Sequence, residues 1–180
     1  MPESQNLSLT NFELALTGGH PNSLGNTVAV VEEILNKPER IKELFDCYFS
    51  CDEVIRLRVS NAFKRISKQK PELVVPLLDE FITKISKINQ ASTQWTFAQL
   101  FLILDKFVTS KQKQEVMSIL KHNLTTSNDW IVLNMTMETL LNYSKTYAEL
   151  KPWLKNQLEK IAQDPRKSVA SRANKYLKSI

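Results

Sequence analysis

Glycine is scarce. The chain has three, all between Gly18 and Gly25, and none in the 155 residues that follow. Hairpins and bulges need residues that tolerate positive φ, so this absence excludes an all-β chain, whereas helices lose nothing by it. Histidine and cysteine are scarcer still, with two of each. Cys47 and Cys51 stand one helical turn apart, and only His20 and His122 could join them. A zinc site needs about four ligands, so the cysteines read as plain thiols, with no metal and no disulfide framework expected. No apolar run approaches the roughly 18 residues that a membrane helix needs. Met1-Pro2-Glu3-Ser4-Gln5 has no basic stretch leading into an apolar one, so neither membrane insertion nor a signal peptide is expected. A cytoplasmic location follows, in which the sequons at Asn6, Asn123, Asn134 and Asn142 are without consequence.

What is present is an ordinary globular composition: 180 residues, 42% hydrophobic and 24% charged, enough for a core of its own. The net charge of +5 is unevenly spread. Residues 1–50 carry 3 basic and 7 acidic groups, and residues 151–180 carry 8 and 2. A basic end attracts nucleic acid, anionic surfaces or acidic proteins. It is also what a plain solvated surface looks like, since 18 of the 24 basic residues are lysine.

Apolar spacing assigns the secondary structure. Ile55, Val59, Ala62, Phe63 and Ile66 share one face at a 3.6-residue period, as do Val169, Ala173, Tyr176 and Leu177. Prolines and caps divide the chain into helices near 24–36, 39–49, 53–69, 71–87, 92–107, 111–123, 130–144, 147–162 and 166–179, after a short one near 9–17. Pro38, Pro71 and Pro165 mark starts, and Ser110 and Asp129 are available as caps. Connections this short make successive helices antiparallel. Alternate helices also repeat. Ile55-Arg56-x-x-Val59-x-x-Ala62-Phe63 returns at Gln94-Trp95, at Val132-Leu133 and at Val169-Ala170, with offsets of 39, 38 and 37. The intervening helices echo one another, Glu72 to Leu78 resembling Glu149 to Leu154 with a proline one turn inside. A two-helix unit repeating at this period is the signature of an α-solenoid.

These residues resemble the HEAT-repeat family of the armadillo-like fold, whose second helix follows an aspartate and carries a Val-Arg-x-x-Ala core. Asp164-Pro165-x-x-x-Val169-x-x-x-Ala173 is the best match, with Asp52 and Ile55-Arg56 next. The arginine position holds Trp95, Leu133 and Ala170 in the other repeats, so the family's Asp-Arg ladder is mostly missing. The resemblance covers about residues 26–180 and implies an all-α, right-handed α-solenoid of about four helical hairpins plus an N-terminal helix. It divides the chain into an N-terminal extension, 1–24, with a glycine-rich turn, and a repeat domain, 25–180. The chain also looks like one of the small stand-alone bacterial proteins of this type, a likeness that implies architecture and no activity.

In such solenoids the second helices line a concave surface. Positions opposite the core read Leu57, Asn61 and Lys64; Thr96, Leu100 and Ile103; Asn134, Glu138 and Leu141; Ser171, Lys175 and Lys178. As a surface they make a groove with an apolar middle and basic ends, suited to an acidic or amphipathic segment of another protein. The same spacing also describes helices buried between neighbours. A basic face of Arg58, Arg65 and Lys68, with Arg172, Lys175 and Lys178 on the last helix, suits nucleic acid as the alternative. The resemblance includes alkylpurine DNA glycosylases, for which Trp95, Trp130, Asp129 and Glu138 would be the aromatic and carboxylate residues. A terminal helix must be polar outside in any case. The Gly18–Gly25 segment reads either as an anion-binding nest beside His20 or as a turn with Asn22 or Ser23 as a cap. No P-loop, nucleophile elbow or His-Glu metal pair is present, so no catalytic residue and no cofactor is expected.

Overall fold

The computed structural model describes residues 10–20 and 23–180. Met1–Gln5, Asn6 and Asn22, on which expectations above rest, lie outside that range. Every regular element described is helical: α1 (Phe12–Ala15), α2 (Thr27–Asn36), α3 (Ile41–Asp46), α4 (Glu53–Gln69), α5 (Leu78–Thr83), α6 (Ala91–Ile103), α7 (Ser110–Thr126), α8 (Trp130–Ser144), α9 (Leu150–Ile161) and α10 (Lys167–Leu177). None is long and apolar enough to cross a membrane. The helices fall into two compact units, one ending at Pro76 and the other running from Leu77 to Ile180.

In the first unit α2 lies along α4, and α3 with the 3-10 turn Cys47–Phe49 covers the same helix. Phe63 of α4 meets Phe45 edge-on at 6.0 Å and stacks on Tyr48 at 5.6 Å. Such ring pairs add about 0.5–1.5 kcal/mol beyond the area they bury. The expected division at residue 24 differs from what is found. Phe12 and Leu16 are fully buried, Arg40 sits over the Phe12 ring at 4.1 Å, and Asn26 donates to the Ala15 carbonyl. Residues 12–20 and 23–25 are therefore part of the first unit.

The residue that holds them there is Arg58, 1% exposed. Its guanidinium donates to the carbonyls of Leu16 (2.6 Å), Gly18 (2.7 Å), His20 (3.2 Å) and Ser23 (3.3 Å). Converging that many carbonyls on one planar fork requires a tightly wound loop, and Gly18, Gly19 and Gly25 all take positive φ. At Gly25 a Cβ would stand 2.8 Å from the Arg58 guanidinium carbon, so both the conformation and the space demand glycine. The segment turns acceptors toward a cation, the reverse of an anion nest. Arg58, expected on an exposed basic face, is interior because it falls in the core stripe between Ile55 and Ala62.

In the second unit α6 lies beside α8 and α8 beside α10, while α5 packs on α7, α7 on α8, and α9 on both α8 and α10. Thr139 and Tyr143 of α8 donate to the carbonyls of Ala98 and Phe101 in α6, at 2.8 and 3.2 Å. These two hydroxyls are thus matched to backbone acceptors, whereas the Thr93 and Thr136 hydroxyls and the Asn134 amide oxygen are buried without a partner. Burial of Val132, Met137 and Leu140 contributes about 1.5–3 kcal/mol each.

Alternate helices of the chain start at residues 53, 91, 130 and 167, a spacing of 38, 39 and 37. Asp52 and Asp129 cap two of these starts by accepting from Val54 N, and from Ile131 and Val132 N. Before α10, Asp164 takes Arg166 N at 2.8 Å together with the Arg166 guanidinium, which also reaches the Asn128 carbonyl. Two local expectations change. Thr109, not Ser110, caps α7 through a reciprocal box with Gln112. The helix expected over 71–87 is broken into the 3-10 turns Pro71–Leu73, Val75–Leu77 and Ile85–Lys87 around α5, because Pro76 has no N–H to continue an α-helical ladder. Pro152 is tolerated in the first turn of α9, where its missing N–H would have no partner.

Replacing Arg58 with methionine or Gly25 with alanine is expected to lower unfolding free energy by about 2–4 kcal/mol in urea titrations, with Arg58→Lys failing to rescue because an ammonium cannot fork. The Arg166 guanidinium holds the Asp164 carboxyl at about 2, against 3.8 for a free carboxyl. Its contribution is therefore complete above about pH 4 and lost as pH falls toward 2. The stability gap between the parent and Asp164→Asn should close over that window in denaturation curves recorded at stepped pH.

Candidate interaction surface

The apolar middle of the expected groove lies inside the protein. Leu100 is 1% exposed, Thr96 2% and Asn134 3%. α6 is apolar nearly all round and contacts α8, α7 and the turn Ile85–Lys87, so its neighbours leave it no open apolar face. Leu57, Asn61 and Ile103 are half-buried, and Asn61 donates to its own helix at the Leu57 carbonyl. What stays at the surface from the expected set is mostly charge.

In the first unit that charge is the run Lys64, Arg65 and Lys68, on the second half of α4. The opposite face of the helix is committed to the core by Val59, Ala62, Phe63 and Ile66. Partial burial pushes the Lys64 ammonium down, and the neighbouring charges of Lys68 and Arg65 push it the same way. The Arg65 Nε is buried without a hydrogen-bond partner. Among the described residues none of the three cations has an ion-pair partner. The negative end of the α4 dipole offers them about 0.3–1 kcal/mol, far short of a carboxylate or phosphate at contact distance.

In the second unit Glu138, Ser168, Ser171, Arg172, Lys175 and Tyr176 line a cleft of about 330 Å³. α8 supplies Glu138 and α10 the rest, because Val169, Ala173 and Tyr176 turn one side of α10 into the core. Arg172 meets Glu138 at 3.5 Å and donates to the Tyr176 hydroxyl at 3.4 Å. A pair this long and this exposed contributes little and is easily exchanged for another anion. Burial raises the Tyr176 phenol, so it stays a neutral donor. Lys175 and Lys178 are exposed.

The residues named for base excision are not available as a set. Asp129 is occupied as the α8 cap, Trp95 is half-buried, and Trp130 lies exposed at the first position of α8. No group of three His, Cys, Asp or Glu residues among those described could hold a metal ion. Cys47 is buried and donates to the Glu43 carbonyl; desolvation, with nearby carboxylates, pushes its thiol up to about 12. Cys51 is exposed. Sequence reasoning missed the interior position of Arg58, although its place three residues after Ile55 and four before Ala62 was the signal. Comparison of the chain with models of protein families, with curated proteins and with solved structures gives no match.

Leu100→Asp is expected to cost about 4 kcal/mol or more, an uncompensated buried charge, whereas Lys175→Glu should shift stability by no more than about 0.5 kcal/mol. Thermal unfolding followed by circular dichroism separates the two outcomes.

Proposed function

We propose that the chain is a HEAT-like repeat protein, its hairpins wound as a right-handed solenoid, that acts without catalysis as a binding module for an acidic segment of another protein. Support for the architecture comes from helix starts recurring at 38, 39 and 37 residues, with aspartates ahead of three of them. The observation that carries the binding reading is Lys64, Arg65 and Lys68, a cationic run with no ion-pair partner among the described residues. The Arg172–Lys175 cleft offers the same chemistry in the second unit, and its bond to Glu138 is weak enough to open. Recognition then rests on charge and hydrogen bonding, because the apolar positions are spent on packing.

The same cations favour nucleic acid as the second reading. The two differ in salt dependence, since displacing counterions from DNA gives a steep dependence that a short acidic peptide does not. Anisotropy titrations with a labelled glutamate-rich peptide and a labelled duplex, over stepped salt, decide between them. The expected result is peptide binding weakened about tenfold or more by Lys64→Glu with Arg65→Glu and Lys68→Glu. Duplex binding with a log–log slope of about −3 or steeper, abolished by those substitutions, would move the assignment to nucleic acid.

A further inference from the structure

A second unit cleft, separate from the basic residues above, has a different chemistry. It encloses about 720 Å³ between the turn leading into α6 and the last turn of α7, and Lys87, Asn89, Gln94, His122, Asn123 and Thr126 are among its walls. The volume is that of a small-molecule site. No carboxylate lines it, while amide, hydroxyl, imidazole and ammonium groups do.

Two independent features point to an anion. α6 begins here with no side-chain cap: Gln90, at the cap position, turns its amide to Ser92 Oγ instead, and Thr93 N and Gln94 N are the first to bond back to the Gln90 carbonyl. The first N–H groups of a 13-residue helix therefore open beside the cleft at Ala91, carrying the positive end of its dipole. Asn123 is 5% exposed, lines the cleft, and its side chain makes no hydrogen bond to any described residue. Its amide is thereby held at the cleft wall with its hydrogen-bonding capacity open to a ligand's oxygens.

A neighbouring cleft of about 670 Å³ shares Ser86, Lys87, His122 and Asn123 and adds Ile82 and Ile119 together with Thr83, Glu115 and Ser118. The two together have a donor-rich end without a carboxylate and a more apolar end, with Glu115 in its wall, joined at Asn123. The geometry points to a binding site for a phosphomonoester with an apolar or aromatic body, of the size of a nucleoside monophosphate. The phosphate lies at the α6 N-terminus with Lys87 and His122, Asn123 donates to it or to the adjoining oxygen, and the body lies against Ile82 and Ile119. The inference is independent of the acidic-segment reading, since it uses no residue of α4 or α10.

Amide and imidazole NMR spectra of the whole protein, titrated with adenosine monophosphate, inorganic phosphate and succinate, provide the test. The expected result is saturable shifts at Ala91, Gln94, His122 and Asn123, with adenosine monophosphate about tenfold tighter than phosphate and succinate weakest. Lys87→Glu, on an exposed side chain, should weaken binding about tenfold or more, as should Asn123→Leu if its spectrum stays dispersed. Should Asn123→Leu fail to fold, the Lys87→Glu arm decides alone. No shift at about 10 mM ligand, shifts confined to α4 or α10, or binding unchanged in Lys87→Glu overturns the site. Succinate equal to the nucleotide overturns the phosphate, and phosphate equal to it overturns the apolar body.

Discussion

In the second unit α6, α8 and α10 start 37 to 39 residues apart and lie side by side, and each covers apolar surface of the next. The seam between α6 and α8 shows the constraint at its most demanding. α6 is buried on most of its circumference, so a hydrogen-bonding group facing it that lacks a partner there costs stability, as the unpartnered Thr93 and Thr136 hydroxyls do. Thr139 and Tyr143 find backbone carbonyls of α6, whose second lone pairs are free even inside a regular helix. The tyrosine hydroxyl and the threonine thereby set the register of one helix against the next as well as their separation. Packing alone would tolerate a slide that these bonds do not.

The first unit solves a different version of the problem. Its helices leave a core position at Arg58 that an aliphatic residue could have filled, and the chain fills it with a guanidinium instead. Burying that charge is tolerable only because four carbonyls of the preceding loop are wound around it, and the loop can wind only because three of its residues are glycine. Glycine placement, loop shape and the buried cation are one device. Its effect is to make the segment between α1 and α2 part of the folded unit, although that segment contributes few apolar side chains of its own.

Much of this was legible beforehand, for identifiable reasons. The 3.6-residue stripe of α4 and α10, the cap at Asp129 and the recurrence near 38 residues are local patterns that the chain must satisfy to form helices at all. Pro76 breaks the expected 71–87 helix because a proline in the middle of a helix, unlike Pro152 in a first turn, removes a bond that is needed. Arg58 was misplaced because a polar residue inside an apolar stripe is ordinarily surface, and its partners are backbone carbonyls 35 to 42 residues away, which no side-chain pattern announces. The groove residues Thr96, Leu100 and Asn134 were ambiguous for the same kind of reason. A groove floor and an interior seam impose the same spacing, and only the position of the covering helices separates them.

That separation also decides how this molecule can recognise anything. With the apolar positions of α6 and α8 consumed by packing, a partner at the second helices meets lysines, arginines and a loosely held Arg172–Glu138 pair. Surfaces of this kind raise association rates and select by charge, but they bury little apolar area to slow dissociation, so complexes made on them exchange quickly and weaken with salt. The cleft beside α6 is built on the opposite principle: few charges, a helix start without a side-chain cap and the Asn123 amide in its wall. There recognition would rest on shape and on hydrogen bonds from donors fixed by the helices rather than on net charge. The two proposed sites thus draw on different helices, the cations on α4 and α10 and the cleft on α6 and α7, because packing uses the faces between helices and leaves their ends and outer sides for recognition.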